Sequence, residues 1–353
     1  MNAFDTSISN QRVRVGRGIR HELCDELINM GCARALILST PGQAQLALDV
    51  ASTLGGLAAG VCSSATMHTP VEVTEDVLSY ARLIEADCFV AIGGGSTIGL
   101  SKALALRTKC PQLVLPTTYS GSEATPILGQ TKEGRKETLT DPKVLPEVVL
   151  YDPELAVSLP ELVSITSGLN AMAHAVEGLY AKDKTPQTTQ LAWQGLEAFS
   201  KALPLVVSNP NDLEARETTL KASWACGAIL GSVGMALHHK LCHTLGGSFG
   251  LPHAETHSIV LPHSVTFNEI VVAEQLAPVR YALGGDHAGQ AIWKFARHLG
   301  APMTLKGLGL READLDHAAE IAVQNPYWNP REVTREGIRA LLQNAWAGNA
   351  PTI

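Results

Sequence analysis

Through the first 150 residues, short apolar runs alternate with amphipathic stretches. Ala33 to Ser39 (ARALILS) predicts a buried strand and Gln43 to Leu54 a helix. Ala58 to Cys62 (AAGVC) reads as a second strand. In the next stretch Val73, Val77, Tyr80, Ala81 and Ile84 fall close to one face of a helix over Val73 to Ala86. A strand at Cys88 to Gly93 (CFVAIG), a helix at Thr97 to Leu106 and a strand at Gln112 to Thr117 (QLVLPT) follow. Such alternation builds a parallel sheet covered by helices on both faces, and sheets of that kind bind ligands at the carboxyl ends of their strands. The pattern changes after Tyr151-Asp152-Pro153. From about Ser158 the chain is rich in Ala and Leu at helical spacing, and strand-like runs are scarce. Pro153 and Pro160 punctuate the change. The expected division is an α/β domain over 1–157 and an all-α domain over 158–353, with a ligand cleft between them.

Composition narrows the class. A chain of 353 residues exceeds one small core, and 45% hydrophobic with 17% charged residues describes a folded globular chain. A net charge of −7 argues against nucleic acid or an anionic membrane as the main partner, yet leaves room for a small anion in a local basic pocket. The seven cysteines form no CxxC pair, so neither a zinc knuckle nor a disulfide framework is expected. The opening MNAFDTSISNQRVRVG has no apolar core of signal-peptide length, and no apolar run reaches the ~20 residues that span a bilayer. A cytoplasmic protein without a membrane partner is expected.

Two loops suggest a dinucleotide. CFVAIG runs into Gly93-Gly94-Gly95-Ser96 and then a helix. Glycines let the backbone approach a phosphate, and free N–H groups at a helix start favour an anion. The loop Pro116-Thr117-Thr118-Tyr119-Ser120-Gly121-Ser122-Glu123 ends at the same sheet edge, so its hydroxyls can meet a cofactor held by the turn. Helix capping is the alternative use of such residues. No G-x-G-x-x-G occurs, and Gly16-Arg17-Gly18 lacks the third glycine. The first strand tip reads Ser39-Thr40-Pro41-Gly42 without the acid that repels a 2′-phosphate, so both NADH and NADPH are admitted.

The helical half carries histidines at helical spacing. Asn170 and His174 lie four apart, as do His239 and His243, and His253 follows the Gly246-Gly247 break. Six of the twelve histidines (His238, His239, His243, His253, His257 and His263) fall within 238–263, which points to a site rather than to scattered core residues.

These motifs resemble the iron-containing (group III) alcohol dehydrogenase superfamily. That superfamily shares the GGGS turn, the PTT loop, a D-x3-H helix and a later H-x3-H…H segment, and DPKVLPEVVLYDP matches its connector. Two departures point to the maleylacetate reductase branch: Gly99 stands where GGGS-x-x-D has its acid, and Asn170 stands where the metal-binding aspartate falls. PTTYSGSEATPILG, NAMAHAVEGLYA and GLPHAETHSIVLPH are similar to that branch as well.

The resemblance implies a dehydroquinate synthase-like fold and NADH- or NADPH-dependent reduction of maleylacetate to 3-oxoadipate in aromatic compound degradation. Gly94, Gly95 and Ser96 would lie on the pyrophosphate, with Thr117, Thr118, Ser120 and Lys136 near the nicotinamide half and Ser39 also in the cofactor site. The superfamily's Fe²⁺ or Zn²⁺ is held by one carboxylate and three imidazoles. Asn170 removes the only anionic ligand beside His174, His239 and His253, so no metal is expected. His243 and His253 are the candidates for stabilising the enolate and supplying the proton. His174 and His239 would hold a substrate carboxylate or orient the others, alongside Asn170. Arg331 is a candidate for the second carboxylate of the small dicarboxylate, while His257 and His263 are read as supporting residues. The resemblance also implies a homodimer, with Arg12 to Gly16 (RVRVG) as a seam. Two rivals remain at this point: a metal-dependent alcohol or polyol dehydrogenase of the same superfamily, and an inactive nucleotide-binding regulatory protein. The intact histidine set speaks against the latter.

Overall fold

A computed structural model describes residues 11–325 and 327–352. The chain forms two compact units. One comprises Met1–Leu159 with Asn211–Gly231, the other Pro160–Pro210 with Ser232–Ile353.

The first unit is built on a parallel sheet of β1 (Arg12–Val15), β2 (Ala35–Leu38), β3 (Ala58–Cys62), β4 (Cys88–Gly93), β5 (Gln112–Pro116) and β8 (Val148–Tyr151). Among the described residues the strand order is β1-β8-β5-β4-β2-β3, with every neighbouring pair parallel. Helices α1 (Leu23–Asn29), α2 (Ala44–Leu54), α3 (Val71–Leu83) and α4 (Gly95–Thr108) connect the strands. Strand side chains alternate between two cores. Ile37, Val90 and Ile92 pack with Leu23, Leu27 and Val50 from α1 and α2, while Leu36, Leu38 and Phe89 meet Val77, Leu78, Leu100 and Leu104 from α3 and α4. Central strands buried on both faces explain the uninterrupted apolar runs in the sequence. β1 lies at the sheet edge, with β8 as its neighbour.

A hairpin, β6 (Ile127–Lys132) and β7 (Arg135–Thr140), falls where the sequence reading placed no element. Its two-residue turn is Glu133-Gly134, at φ 50 and 74, the positive angles that match a hairpin's twist. A partly buried β6 and an exposed, polar β7 leave little hydrophobic signal.

The second unit is helical: α5 (Glu161–Tyr180), α6 (Pro186–Ser208), α8 (Leu237–Phe249), α9 (His253–Val272), α10 (Ala277–Leu283), α11 (Ala288–His298), α12 (Leu315–Ala322) and α13 (Arg335–Ala347). α5 is buried on every side from Ser164 to Tyr180, the signature of a central helix. Among the described residues no helix is long and apolar enough to cross a membrane.

The linear division 1–157 and 158–353 needs correction at one place. Helix α7 (Leu213–Leu230) belongs to the α/β unit although it lies far along the helical half of the sequence. Periodicity identifies a helix but not the core it packs on. Gly227 of α7 sits against the backbone of Gly121, close enough that a Cβ would stand 2.8 Å from the Gly121 Cα.

Candidate active site

In the first unit, β4 delivers the chain into a turn where Gly94 caps α4 and Gly95 begins it. Gly94 and Ser96 are half-buried and Gly95 is exposed, so the crest of the turn is open. The first amides of a helix have no carbonyl partner within it, which makes this crest a seat for an anion. Side chains are excluded by contact. A Cβ on Gly94 would stand 2.6 Å from Thr118 Cγ2, and one on Gly93, at φ 155, would strike Thr97 Oγ1.

The second loop is tied to the first. Thr117 N–H donates to the Gly93 carbonyl at 3.0 Å, and Gln43 Nε2 donates to Thr117 Oγ1 at 2.8 Å. The buried Lys102 ammonium anchors the chain that follows, donating to the carbonyls of Ser122 and Thr125 at 2.7 Å and of Ile127 at 2.9 Å. Ser120 Oγ and Thr97 Oγ1 are buried without a hydrogen-bond partner. Two orphaned hydroxyls beside a bare helix start fit a bound dinucleotide. Ser39, at the end of β2, is already engaged with Ser63 Oγ at 2.8 Å and the Thr40 carbonyl at 3.1 Å. The side chain of Lys136 lies outside the described part of the structure. Gly99 leaves room for a neighbour: a Cβ there would strike Thr69 Oγ1. Thr69 and His68 both hold left-handed backbone angles, φ 47 and 66, which non-glycine residues seldom adopt.

In the second unit the imidazoles do gather. Ring centroids are 5.2 Å apart for His174 and His239, 5.1 Å for His239 and His257, 4.3 Å for His253 and His257, and 6.2 Å for His239 and His243. His174 and His239 are buried, His253 is half-buried and His243 is exposed. Burial, reinforced by the neighbouring rings, holds His174, His238 and His257 well below the usual imidazole range, so these three are neutral near pH 7. His238 Nε2 meets His257 Nδ1 at 3.0 Å, and His238 Nδ1 meets Ser264 Oγ at 3.3 Å. Asn170 Oδ1, His174 Nδ1, His239 Nε2 and His257 Nε2 are buried without hydrogen-bond partners.

Sequence reasoning missed two residues here. Glu177 accepts a hydrogen bond from His239 Nδ1 at 2.6 Å. Its signal was available, since residues 170, 174 and 177 share one helical face. The pocket is therefore not stripped of acids, as the loss of the residue-170 carboxylate alone suggested. Asn329 accepts from the Leu237 backbone N–H at 3.3 Å and exchanges two bonds with Asn268, at 3.0 and 2.8 Å.

Arg331 does not join the cluster. Its Nη1 donates to the Phe267 carbonyl at 2.8 Å and its guanidinium lies 4.1 Å from the Phe267 ring centre. Phe267 lies fourteen residues beyond His253 on α9 (267 − 253), about 20 Å at the helical rise. There Arg331 lines a separate cavity of about 260 Å³ with His263 and Asn344.

The iron-containing alcohol dehydrogenase model matches residues 10–153, and that of the Fe-containing alcohol dehydrogenase family, C-terminal, matches residues 164–346. The chain belongs to the iron-containing alcohol dehydrogenase family. It is 54% identical to a maleylacetate reductase of Rhizobium sp. (strain MTP-10005) over 99% of this chain and 100% of that protein. It is 50% identical to a maleylacetate reductase of Sphingobium indicum over 96% of each. The crystal structure of a maleylacetate reductase from Agrobacterium tumefaciens superposes with a TM-score of 0.95 at 52% identity, covering 99% of this chain and 100% of that one.

Membership makes the metal question concrete. The ring nitrogens of one zinc site lie about 2.0–2.1 Å from the ion, hence close to one another. Among the described residues, two groups of His, Cys, Asp or Glu bring three ligand atoms within 4.8 Å of one another: His238, Cys242 and His257, and Cys32, Asp87 and Cys88. His174, His239 and His253 are not such a group. The first of the two is accounted for by the His238–His257 hydrogen bond, with Cys242 Sγ 3.7 Å from His238 Nε2. In the second, the Asp87 carboxylate is taken up by the N–H groups of Ala33 and Arg34 at 2.8 and 2.9 Å. A neutral amide at 170 replaces the family's one anionic ligand, while Asn170 Oδ1, His174 Nδ1 and His239 Nε2 stay buried and unengaged.

Proposed function

We propose that this chain reduces the C=C bond of maleylacetate, giving 3-oxoadipate, with NADH or NADPH as reductant and without a bound metal ion. The observation that carries the reading is full-length identity of about half to maleylacetate reductases, together with an amide in place of the acid beside His174. Bound nicotinamide supplies a hydride to the carbon β to the ketone of the substrate. The residues of the chain divide the remaining work. Gly94, Gly95 and Ser96 would offer backbone N–H groups to the pyrophosphate, with Thr117, Thr118, Ser120 and Ser39 bordering the rest of the cofactor.

As the C=C bond is reduced, negative charge develops on the ketone oxygen as an enolate, which then takes a proton at the α carbon. A donor already aimed at that oxygen lowers the barrier, and a second group must deliver the proton. A proton donor is recharged from water at each turnover, so it must reach solvent. The exposed His243 and half-buried His253 meet that condition, whereas the buried, neutral His174 does not. His174, His239 and Asn170 are left to hold a carboxylate and to orient the substrate. Arg331 is assigned no role in this reading, because its Nη1 is engaged by the Phe267 carbonyl.

The test is a comparison of NADH and NADPH oxidation by purified protein with maleylacetate and with simple aldehydes, before and after treatment with a chelator. Chelator-resistant oxidation with maleylacetate supports the proposal. Turnover of aldehydes alone, abolished when bound iron or zinc is removed, would establish the metal-dependent alternative.

A further inference from the structure

Seven residues beyond Asn170, α5 carries a carboxylate with donors on several sides. Glu177 is fully buried, 0% exposed. Its Oε2 accepts from Ala236 N–H at 3.0 Å and from His239 Nδ1 at 2.6 Å. Its Oε1 accepts from His238 N–H at 2.8 Å and faces the Tyr180 hydroxyl at 3.5 Å. A buried carboxylate is costly unless its lone pairs are met, and here they are. Two of the donors are amides at the start of α8, the helix that carries His239 and His243. Glu177 therefore caps that helix from α5 and holds a negative charge at its positive end. The third donor is the ring. With Nδ1–H on Glu177, the opposite nitrogen of His239 is turned away from the carboxylate, and that Nε2 has no protein partner.

We propose that Glu177 is a positioning residue for the reduction. It fixes the ring orientation and tautomer of His239, so that Nε2 faces the neighbouring imidazoles, and it pins the start of α8. The proposal rests on reading the imidazole cluster as the reductase site. Glutamine cannot substitute. It offers one acceptor oxygen and an NH2 that donates, so in either amide orientation its NH2 opposes one of the N–H groups that Glu177 now satisfies.

Two measurements test it. Kinetics with maleylacetate and NADH on Glu177→Gln, His239→Asn and the double variant should show kcat lowered about 10- to 100-fold by Glu177→Gln. NADH affinity should stay within about twofold. The double variant should lose no more than His239→Asn alone, because both changes remove one arrangement. Additive losses would mean that Glu177 serves folding and not His239, and would overturn the proposal, as would an unchanged kcat. The second measurement needs neither substrate nor a variant that folds. Nitrogen NMR of histidine-labelled wild-type protein should show His239 with a proton on Nδ1 held to an acceptor. A neutral His239 protonated on Nε2 alone overturns the proposal whatever the substrate proves to be. Failure of maleylacetate turnover with the expected spectrum would instead discard the reductase reading and leave the Glu177–His239 arrangement standing.

Discussion

Gly227→Ala is the sharpest probe of how α7 supports the cofactor loop. A Cβ at this position would fall on the Gly121 carbonyl oxygen and stand 2.8 Å from its Cα and 2.9 Å from its carbonyl carbon. Non-bonded carbons prefer about 3.5–4.0 Å, so helix or loop must yield by about 1 Å. The obstacle is backbone and cannot rotate aside. Gly121 itself holds φ 74, which limits how the loop can relax. Overpacking of this kind costs about 1–3 kcal/mol, and a rigid neighbour places this site near the top of that range. The displaced segment includes Ser120, so NADH binding should weaken with stability, and an error of about 1 Å in a positioning loop can lower turnover ~100-fold. Gly247→Ala is the control. It lies in α8 with nothing within 4 Å of the added atom, and replacing a helical glycine there should stabilise by up to ~1 kcal/mol. Urea unfolding and NADH titration of both variants decide the matter. If Gly227→Ala unfolds within about 0.5 kcal/mol of wild type and binds NADH normally, the close approach is not a constraint and this reasoning fails.

Three other outcomes are expected. His253→Ala should cut turnover by about 10²- to 10⁴-fold while NADH affinity is unchanged, and near-normal turnover would remove His253 from the chemistry. Asn170→Asp places a charge among buried imidazoles. It should destabilise the metal-free protein by ~2 kcal/mol or more and raise zinc retention at least ~10-fold, measured by unfolding with and without zinc and by metal analysis. No change in either would show that the site cannot close on an ion. Finally, burial holds His263 at about 4 against an ordinary 6.5. Between those values the unfolded chain binds a proton that the folded protein refuses, so stability falls as pH drops from 6.5 towards 4. Down to pH 5 this one group costs about 2 kcal/mol, with His174, His238 and His257 acting in the same direction. Denaturant melts of wild type and His263→Gln from pH 7.5 to 5 check this, the variant showing the shallower slope. Parallel slopes would contradict it.

What the amino-acid sequence determined by itself was whatever rests on local pattern. Apolar runs bounded by turns placed the ends of β2, β4 and β5 to within two residues, because strands buried on both faces tolerate few polar interruptions. The glycines at 93–95 marked the turn into α4 and the histidine spacings marked the imidazole cluster, and full-length similarity then set the family. Only the tertiary structure decided the partners. Arg331 was chosen for its charge, but charge says nothing of direction, and it turns to Phe267. Glu177 shares a helical face with Asn170 and His174, but its partners are fixed only when the start of α8 is brought against it. Helix α7 is buried almost all round, so its pattern points to no one face, and its close approach to the loop depends on the absence of a Cβ at Gly227 and Gly121, two residues far apart in the chain. Local pattern fixes an element because its cause lies within a few residues. A buried charge, an unpaired ring nitrogen and a glycine-to-glycine contact are satisfied by groups distant in sequence, and folding alone selects which.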